Sequence, residues 1–271
     1  MAELSFFNIG RRLADLDLSQ GSVTVDLRDV TFIHPFAVAY LGAFLRHYEN
    51  RVRFDFQFNE TSRFFKYLTR HRFFTRFEFD ADSIEAEERM RDERPTSLND
   101  IVNIVRDPEI GSEIADSVFQ LLHDNRVQLE NDEVSVQIGE VVDNFSLHAE
   151  ESVGTFLVQY FPNLHYFKVA IADTGIGIRK SLSQNKRYEY LLEKPSRWAL
   201  EKAFEPEVSS RKLAGMGLYD LREYLIEHGG HLYCSSEDGY YMIERGQIRT
   251  GVMKCQLPGV QMEFGLPERR S

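Results

Sequence analysis

The stretch VAIADTGIGIRKSL, from Val169 to Leu182, constrains the fold more than any other part of the chain. Its alternating apolar residues predict a strand that ends at Asp173, and glycines follow at positions 175 and 177. A carboxylate at a strand end, next to backbone without side chains, suits two structures. One is a tight turn, and the other is a site where a flat ligand approaches the backbone. The stretch alone leaves both open.

Composition narrows the class of protein. The chain has 271 residues, of which 42% are hydrophobic and 28% charged, so we expect one large globular domain or two small ones. The net charge of −11 disfavours bulk nucleic-acid binding, which usually needs a basic face. Cys234 and Cys255 lack a metal-ligand spacing and predict free thiols in a cytoplasmic protein. We find no signal-peptide pattern and no apolar run of membrane-spanning length, so no membrane partner is expected.

Residues 1–78 predict a small α/β module in which strands and helices alternate. The predicted strands are Ser22 to Leu27 and Arg51 to Phe58, and the predicted helices are Pro35 to Tyr48 and Glu60 to Phe74. A highly charged stretch follows and predicts a linker or a solvated helix over residues 79–110, where we place the domain boundary.

Residues 111–271 follow a different pattern. Two amphipathic helices precede a predicted hairpin, the glycine turn, a long polar stretch, a further helix and three closing strands. This order predicts an α/β sandwich with a mixed sheet and helices on one face.

Two further groups of residues have the types that nucleotide chemistry needs. Glu140 and Asn144 lie one turn apart on the second helix, where a carboxylate can activate water and an amide oxygen can ligate Mg²⁺. Gly215 and Gly217 precede a helix, with Arg211 and Lys212 nearby, and backbone N–H groups at a helix start bind phosphate. A solvated helix face and an ordinary loop-to-helix entry explain the same two patterns without a ligand.

In this order, the features resemble the GHKL superfamily of ATP-binding proteins, which includes gyrase-type, chaperone, histidine-kinase and mismatch-repair ATPases. GEVVDNFSLHA resembles its N box, DTGIGI its first glycine box, and AGMGLYDLREYLIEHGG its second. The resemblance covers residues 111–267 and implies a Bergerat-type fold. The closing strand departs from the family, which usually has threonine where this chain has Val260, so a hydroxyl near the adenine is missing.

The resemblance implies a role for each matching residue. Glu140 would be the catalytic general base, Asn144 the Mg²⁺ ligand, and Asp173 the acceptor for the adenine amino group. The remaining residues would shape the adenine pocket or bind phosphate: Gly175, Gly177, Arg211, Lys212, Gly215, Met216 and Gly217. The segment from Lys180 to Leu213 would form a mobile lid over ATP.

The first module has a resemblance of its own. VTVDLRDVTFIHPFAVAYLGAFLRHY is similar to the core of a STAS domain, the fold of anti-sigma-factor antagonists. That family has an Asp-Ser pair where this chain has His34 and Pro35, so the phosphorylatable hydroxyl is missing. Any small α/β interaction module would give the same pattern. Arginines and phenylalanines between Arg46 and Arg76 suit either single-stranded nucleic acid or, as we favour, a core with a solvated rim.

We therefore expect an α/β protein in which a STAS-like βαβα module precedes a GHKL domain that binds ATP and Mg²⁺. Its expected function is cytoplasmic signalling, as an ATP-hydrolysing or nucleotide-gated switch that controls a partner protein through the first module. Two alternatives remain: a serine/threonine kinase of the anti-sigma type that acts in trans on a STAS protein, and a non-catalytic ATP-binding interaction module. A homodimer is compatible with each of them.

Overall fold

The computed structural model describes residues 2–79, 81–90, 101–104, 109–127, 134–135, 138–139, 141–143, 145, 153–208 and 217–268. Helices and strands occur together in both parts of the chain, as the α/β fold class predicts. All structural statements below refer to these residues.

The first unit consists of short strands and helices. Its elements are β1 (Ala2–Leu4), α1 (Ile9–Ala14), β2 (Ser22–Asp26), β3 (Val30–Ile33), α2 (Pro35–Tyr48), β4 (Arg53–Gln57), α3 (Arg63–Arg70) and α4 (Phe73–Arg76). Strand β1 pairs with β3 and strand β2 with β4, and both pairings are parallel. The two predicted strands and the first predicted helix are confirmed, and β1, α1 and β3 are additional. The single helix predicted from Glu60 to Phe74 is two helices, α3 and α4, because Arg72 between them has a left-handed φ of 56°.

The charged stretch predicted as a linker contains regular structure. It holds α5 (Ala81–Met90), β5 (Val102–Ile104) and the first residue of the next helix. Glu87 of α5 is 4% exposed, and its carboxylate accepts hydrogen bonds from the backbone N–H groups of Phe74 and Thr75. Helix α5 is therefore attached to the first unit at the N-terminal end of α4.

The second unit contains one sheet with helices. Its elements are α6 (Ile110–Asp124), α7 (helical residues 134–135, 138–139, 141–143 and 145), β6 (Gly154–Phe161), β7 (Tyr166–Ala172), α8 (Gly177–Ser183), α9 (Ser196–Ala203), α10 (Leu218–Glu227), β8 (His231–Glu244) and β9 (Gln247–Pro267). Two 3₁₀ turns lie at Pro162–Leu164 and Lys186–Glu193.

The sheet has the strand order β5-β6-β7-β9-β8, and every pairing among these described strands is antiparallel. The prediction of a mixed sheet is therefore wrong. Short hairpin connections join β6 to β7 and β8 to β9, and such connections make neighbours antiparallel. The β8–β9 turn places Arg245 at φ 52° and Gly246 at φ 72°, as a type I′ turn requires. The chain closes with these two long strands instead of the predicted three.

Helices cover both faces of the sheet, which corrects the prediction of helices on one face. Successive strand residues point to opposite faces. Val169 and Ile171 of β7 therefore pack with α6, α7 and α10, while Ala170 packs with α2 of the first unit. Leu157 of β6 and Leu257 of β9 join Ala170 in that second core. The first unit thus supplies the layer that covers the second face.

The polar stretch after the glycine turn is folded. Helix α8, the 3₁₀ turn at Lys186–Glu193 and helix α9 bury apolar side chains in the main core. These include Leu182, Tyr188, Leu191, Leu200 and Phe204. Residues 180–208 of the predicted lid therefore pack against the main core in this structure, and residues 209–213 lie outside the described part of the chain.

Candidate functional site

Asp173 directly follows β7, and its side chain is buried, with 4% exposure. The N–H of Gly175 donates to its Oδ1 at 2.7 Å, and its own N–H donates to the carbonyl of Val260 at 2.9 Å. Burial raises the pKa of Asp173 to about 7, and backbone hydrogen bonds from Gly175 and Val260 offset only part of that effect. No ion pair with this carboxylate occurs among the described residues. An N–H donor of a ligand would satisfy such a group.

Gly259, which precedes Val260 within β9, packs closely against Asp173. Its φ is +75°, and a Cβ at this position would lie 2.3 Å from the Asp173 carbonyl oxygen and 2.4 Å from its Oδ1. Only glycine fits both the conformation and the space. Gly259 is not among the predicted site residues, although it immediately precedes Val260 in the closing strand.

Ser236 joins the start of α8 to this glycine. Its Oγ accepts a hydrogen bond from the N–H of Ile178 at 3.1 Å and donates one to the carbonyl of Gly259 at 2.7 Å. Gly177 has a φ of +75°, and a Cβ there would lie 2.9 Å from Ser236 Oγ. The structure therefore brings Asp173, Gly175 and Gly177 together around Gly259.

Gln261 fixes the backbone at the same place. Its Nε2 donates to the carbonyl oxygens of Asp173 at 3.1 Å and Pro258 at 2.8 Å, and its Oε1 accepts from Ser235 Oγ at 3.0 Å. Gln261 is 1% exposed, so it acts as a buried brace between β9 and the end of β7. Its contacts join residues far apart in the chain, and no local sequence signal identifies it.

Gly217 lies at the N-cap of α10, away from this brace. Its N–H donates to Asp220 Oδ2 at 3.1 Å, and Asp220 is the acidic residue of the first turn. An anion bound by this N–H would have to displace the Asp220 carboxylate, which already stabilises the helix end. The residue is in the predicted place for a phosphate site, but its donor is occupied.

Six other predicted site residues lie outside the described residues: Glu140, Asn144, Arg211, Lys212, Gly215 and Met216. The neighbouring Asp143 is described, and its Oδ1 accepts a hydrogen bond from the N–H of Gly111 at 3.1 Å. A Cβ at Gly139 would lie 2.9 Å from the carbonyl of Gly111, so α6 and α7 pack closely. Asp143 therefore caps the start of α6 and holds α7 against it.

Comparisons with protein-family models, curated proteins and solved structures find no match to this chain. None of the described helices has the length and apolar composition needed to cross a membrane. In the same part of the chain, no cluster of three or more histidine, cysteine, aspartate or glutamate side chains is arranged to hold a metal ion.

Proposed function

We propose that the chain binds ATP with its adenine at Asp173, and that it works as an ATP-hydrolysing or nucleotide-gated switch. One observation carries the proposal: Asp173 is a buried carboxyl without a cationic partner among the described residues, at a strand end where the backbone packs so closely that only glycine fits at position 259. The GHKL resemblance assigns the same residue to the adenine amino group.

The chemistry of the pocket favours adenine over guanine. The exocyclic amino group of adenine is a donor that a carboxylate accepts. Guanine has a carbonyl oxygen at the equivalent ring position, and two acceptors face each other without a proton between them when Asp173 is ionised. Val260 packs its side chain against the main core and presents a methyl surface instead of the family hydroxyl.

For the phosphates and the metal ion, we propose the residues that the resemblance assigns as their ligands. Arg211, Lys212, Gly215, Met216 and Gly217 would hold the phosphates, and Asn144 would hold Mg²⁺, which neutralises phosphate charge when bound. Glu140 would orient or deprotonate the attacking water. Because the N–H of Gly217 already has Asp220 as its acceptor, phosphate binding includes a rearrangement at the start of α10.

The position of the first unit supports a switch. Strand β9 carries Gly259 and Gln261 at Asp173, and two residues further on it carries Glu263. The Glu263 carboxylate accepts a hydrogen bond from the N–H of Phe36, in the first turn of α2, at 2.6 Å. A change at the adenine pocket is therefore only a short strand segment away from the unit that we propose contacts the partner.

The experiment is calorimetric binding of ATP, with GTP as the competing nucleotide, together with phosphate release by the same samples. We expect ATP to bind more tightly than GTP, Asp173→Asn to weaken ATP binding about tenfold or more, and Glu140→Ala to remove turnover while ATP still binds. Equal binding of ATP and GTP, or unchanged ATP binding by Asp173→Asn, refutes an adenine site at Asp173. Binding without turnover in the wild-type chain selects the non-catalytic interaction module.

The kinase alternative has one supporting observation. His34 and Pro35 precede Phe36, whose N–H donates to Glu263 on the sheet, and the STAS resemblance would place the phosphorylation site of that family at this segment. Without a hydroxyl there, any phosphoryl acceptor must be another protein. Incubation with γ-labelled ATP and a STAS protein separates the two functions, because transfer of label favours the kinase and release of free phosphate favours the hydrolase.

A further inference from the structure

An open groove in the first unit is separate from the adenine pocket. Its volume is about 910 Å³, and β4, the end of α2 and residues 76–79, 82 and 83 line it. Volumes of this size are typical of ligand sites. None of the residues that line the groove is among Asp173 and its neighbours Gly175, Gly177 and Gly259, so the role of the groove is independent of the proposed ATP site.

The floor of the groove is aromatic. Five partly exposed phenylalanines contribute to it: Phe54, Phe56, Phe58, Phe77 and Phe79. The rings of Phe56 and Phe58 stack with their centroids 5.7 Å apart, and Phe79 contacts Phe56 at 5.2 Å. These rings leave apolar surface available at the groove, where apolar side chains of a partner can pack.

One edge of β4 faces this floor without a partner strand among the described residues. The N–H of Arg53 donates to the carbonyl of Gly21 at 3.0 Å, and the carbonyl of Gln57 accepts from the N–H of Leu27 at 2.9 Å. Both bonds are directed toward β2. Because successive strand residues direct their backbone groups to opposite edges, those of Phe54 and Phe56 point away from β2.

The exposed rim of the groove is acidic. Its exposed carboxylates belong to Glu49, Asp55, Glu60, Glu78 and Asp82, whereas Arg53 is the exposed basic residue among the lining side chains. Arg46 is only partly exposed, stacks over Phe77 at 5.2 Å, and donates from Nη2 to Asn103 Oδ1 at 2.9 Å. Arg76 also lines the groove and is partly exposed, so five carboxylates stand against three arginines and the rim keeps a small excess of negative charge.

We propose that this groove binds an extended, basic strand of a partner protein, which adds to the free edge of β4. The strand would bond to the backbone groups of Phe54 and Phe56, place alternate apolar side chains on the aromatic floor, and direct lysines or arginines to the acidic rim. Strand addition obtains affinity from the backbone and specificity from alternate side chains. The five residues of β4 offer an edge of about 16 Å.

The test uses two synthetic hexapeptides with blocked ends, one of alternating lysine and valine and the other of alternating glutamate and valine. We expect the lysine peptide to bind the full chain roughly tenfold or more tightly than the glutamate peptide. Hydrogen exchange should slow at the amides of Phe54 and Phe56 and stay unchanged at those of Arg53 and Asp55. The variant Asp55→Lys/Glu60→Lys, checked for folding by circular dichroism, should reverse the preference.

Four results would overturn the proposal. They are equal binding of both peptides, no binding of either at millimolar concentration, binding without protection of Phe54 and Phe56, and an unchanged preference in the double variant. Protection of the same two amides in the absence of peptide, with a dimer in sedimentation, would identify a second copy of the chain as the occupant instead. Wild-type ATP binding serves as an independent control, because the groove shares no residue with the adenine pocket.

Discussion

Two buried carboxylates in the same sheet have opposite surroundings. Glu263 is 1% exposed and bonds with the N–H of Phe36 at 2.6 Å, Lys168 Nζ at 2.9 Å and His231 Nε2 at 2.8 Å. Asp173 is 4% exposed and has only backbone donors among the described residues. Burial acts to raise the pKa of both. For Glu263, the hydrogen bond from His231 and the charge of Lys168 outweigh burial and lower the pKa to about 2, whereas the pKa of Asp173 rises to about 7.

The difference separates a carboxylate that is paired with opposite charge from one that is not, and our proposal places the nucleotide at the second. A buried charge is tolerated when hydrogen bonds and an opposite charge replace water, and Glu263 has both. It connects three elements, because Phe36 lies in the first turn of α2, Lys168 lies on β7 and His231 begins β8. Asp173 lacks this compensation, and uncompensated buried carboxyls concentrate at functional sites.

The largest expected effect is the loss of the compensated carboxylate. Glu263→Ala leaves the buried His231 and the partly buried Lys168 without this acceptor, and removal of one member of a buried ion pair typically costs about 3–5 kcal/mol. We expect the free energy of unfolding, measured by urea titration at pH 7, to fall by that amount. The matched control is Glu205→Ala, since Glu205 pairs with Lys202 at the surface and should change stability by less than about 1 kcal/mol.

The acid limb of the stability profile checks the same group. The folded-state pKa of Glu263 is lowered from 4.5 to about 2, so its contribution is fully present above pH 4.5 and is lost as the pH falls toward 2. The Glu263→Ala chain should lack that slope. An unchanged slope, or a decrease in the free energy of unfolding below about 1 kcal/mol at pH 7, would show that the Glu263 network does not stabilise the contact between the two units.

Replacement of the uncompensated carboxylate should have the opposite sign. The folded-state pKa of Asp173 is raised from 3.8 to about 7, so its contribution to stability is present below pH 3.8 and is lost as the pH rises through 7. Asp173→Asn removes the buried charge, and we expect it to stabilise the chain by on the order of 2 kcal/mol at pH 8. At pH 3.5 the two chains should unfold at similar urea concentrations. Destabilisation at pH 8 would mean that the carboxylate is compensated after all.

Nucleotide affinity should follow the ionisation of Asp173. In the proposed site the adenine amino group would donate to the ionised carboxylate, so ATP should bind the deprotonated chain more tightly. We expect the affinity to rise by about tenfold per unit below pH 7 and to level off above pH 8. Calorimetry from pH 5.5 to pH 8.5 measures it, with tripolyphosphate as the control for titration of the phosphates. Equal slopes for ATP and tripolyphosphate would assign the pH dependence to the phosphates.

The smallest expected effect concerns Val260. Its side chain packs against the main core, and Asp173 donates from its backbone to the carbonyl of Val260 at 2.9 Å. Val260→Thr restores a hydroxyl of nearly the same size, and a neutral hydrogen bond contributes about 1 kcal/mol. We expect ATP to bind two- to fivefold more tightly, while Val260→Ala, which adds no hydroxyl, should not improve binding. Equal or weaker binding by the threonine variant would argue that no ligand atom lies at this position.

Local sequence signals predict much of the fold, and of the two compared carboxylates they identify Asp173. Proline at the start of an apolar run predicts α2, and the structure has that helix from Pro35 to Tyr48. Alternation predicts β7, and the end of the run identifies Asp173 as a strand-terminal carboxylate. In contrast, Ser235 and Ser236 look like the end of a strand, but β8 continues through a bulge at Glu237, whose φ is 55°.

No local sequence signal identifies the other carboxylate, Glu263, as part of a network. Glu263 and Phe36 are 227 positions apart, and neither residue type predicts a contact with the other. The same reason explains why Ser236 and Gln261 were missed, since both act through backbone groups of distant segments. The sequences of β6 and β7 place apolar residues on both faces of the sheet. Only the folded chain shows that the first unit covers one of these two faces.

The cover that α2 provides for the sheet has a practical consequence for work with pieces of this protein. A fragment that starts at residue 109 would leave Leu157, Ala170 and Leu257 on an open face, together with the side chain of Glu263. A contiguous apolar face of this kind promotes self-association and poor solubility. The two halves that the sequence distinguishes are therefore not interchangeable modules, and recombinant production should keep them in one polypeptide.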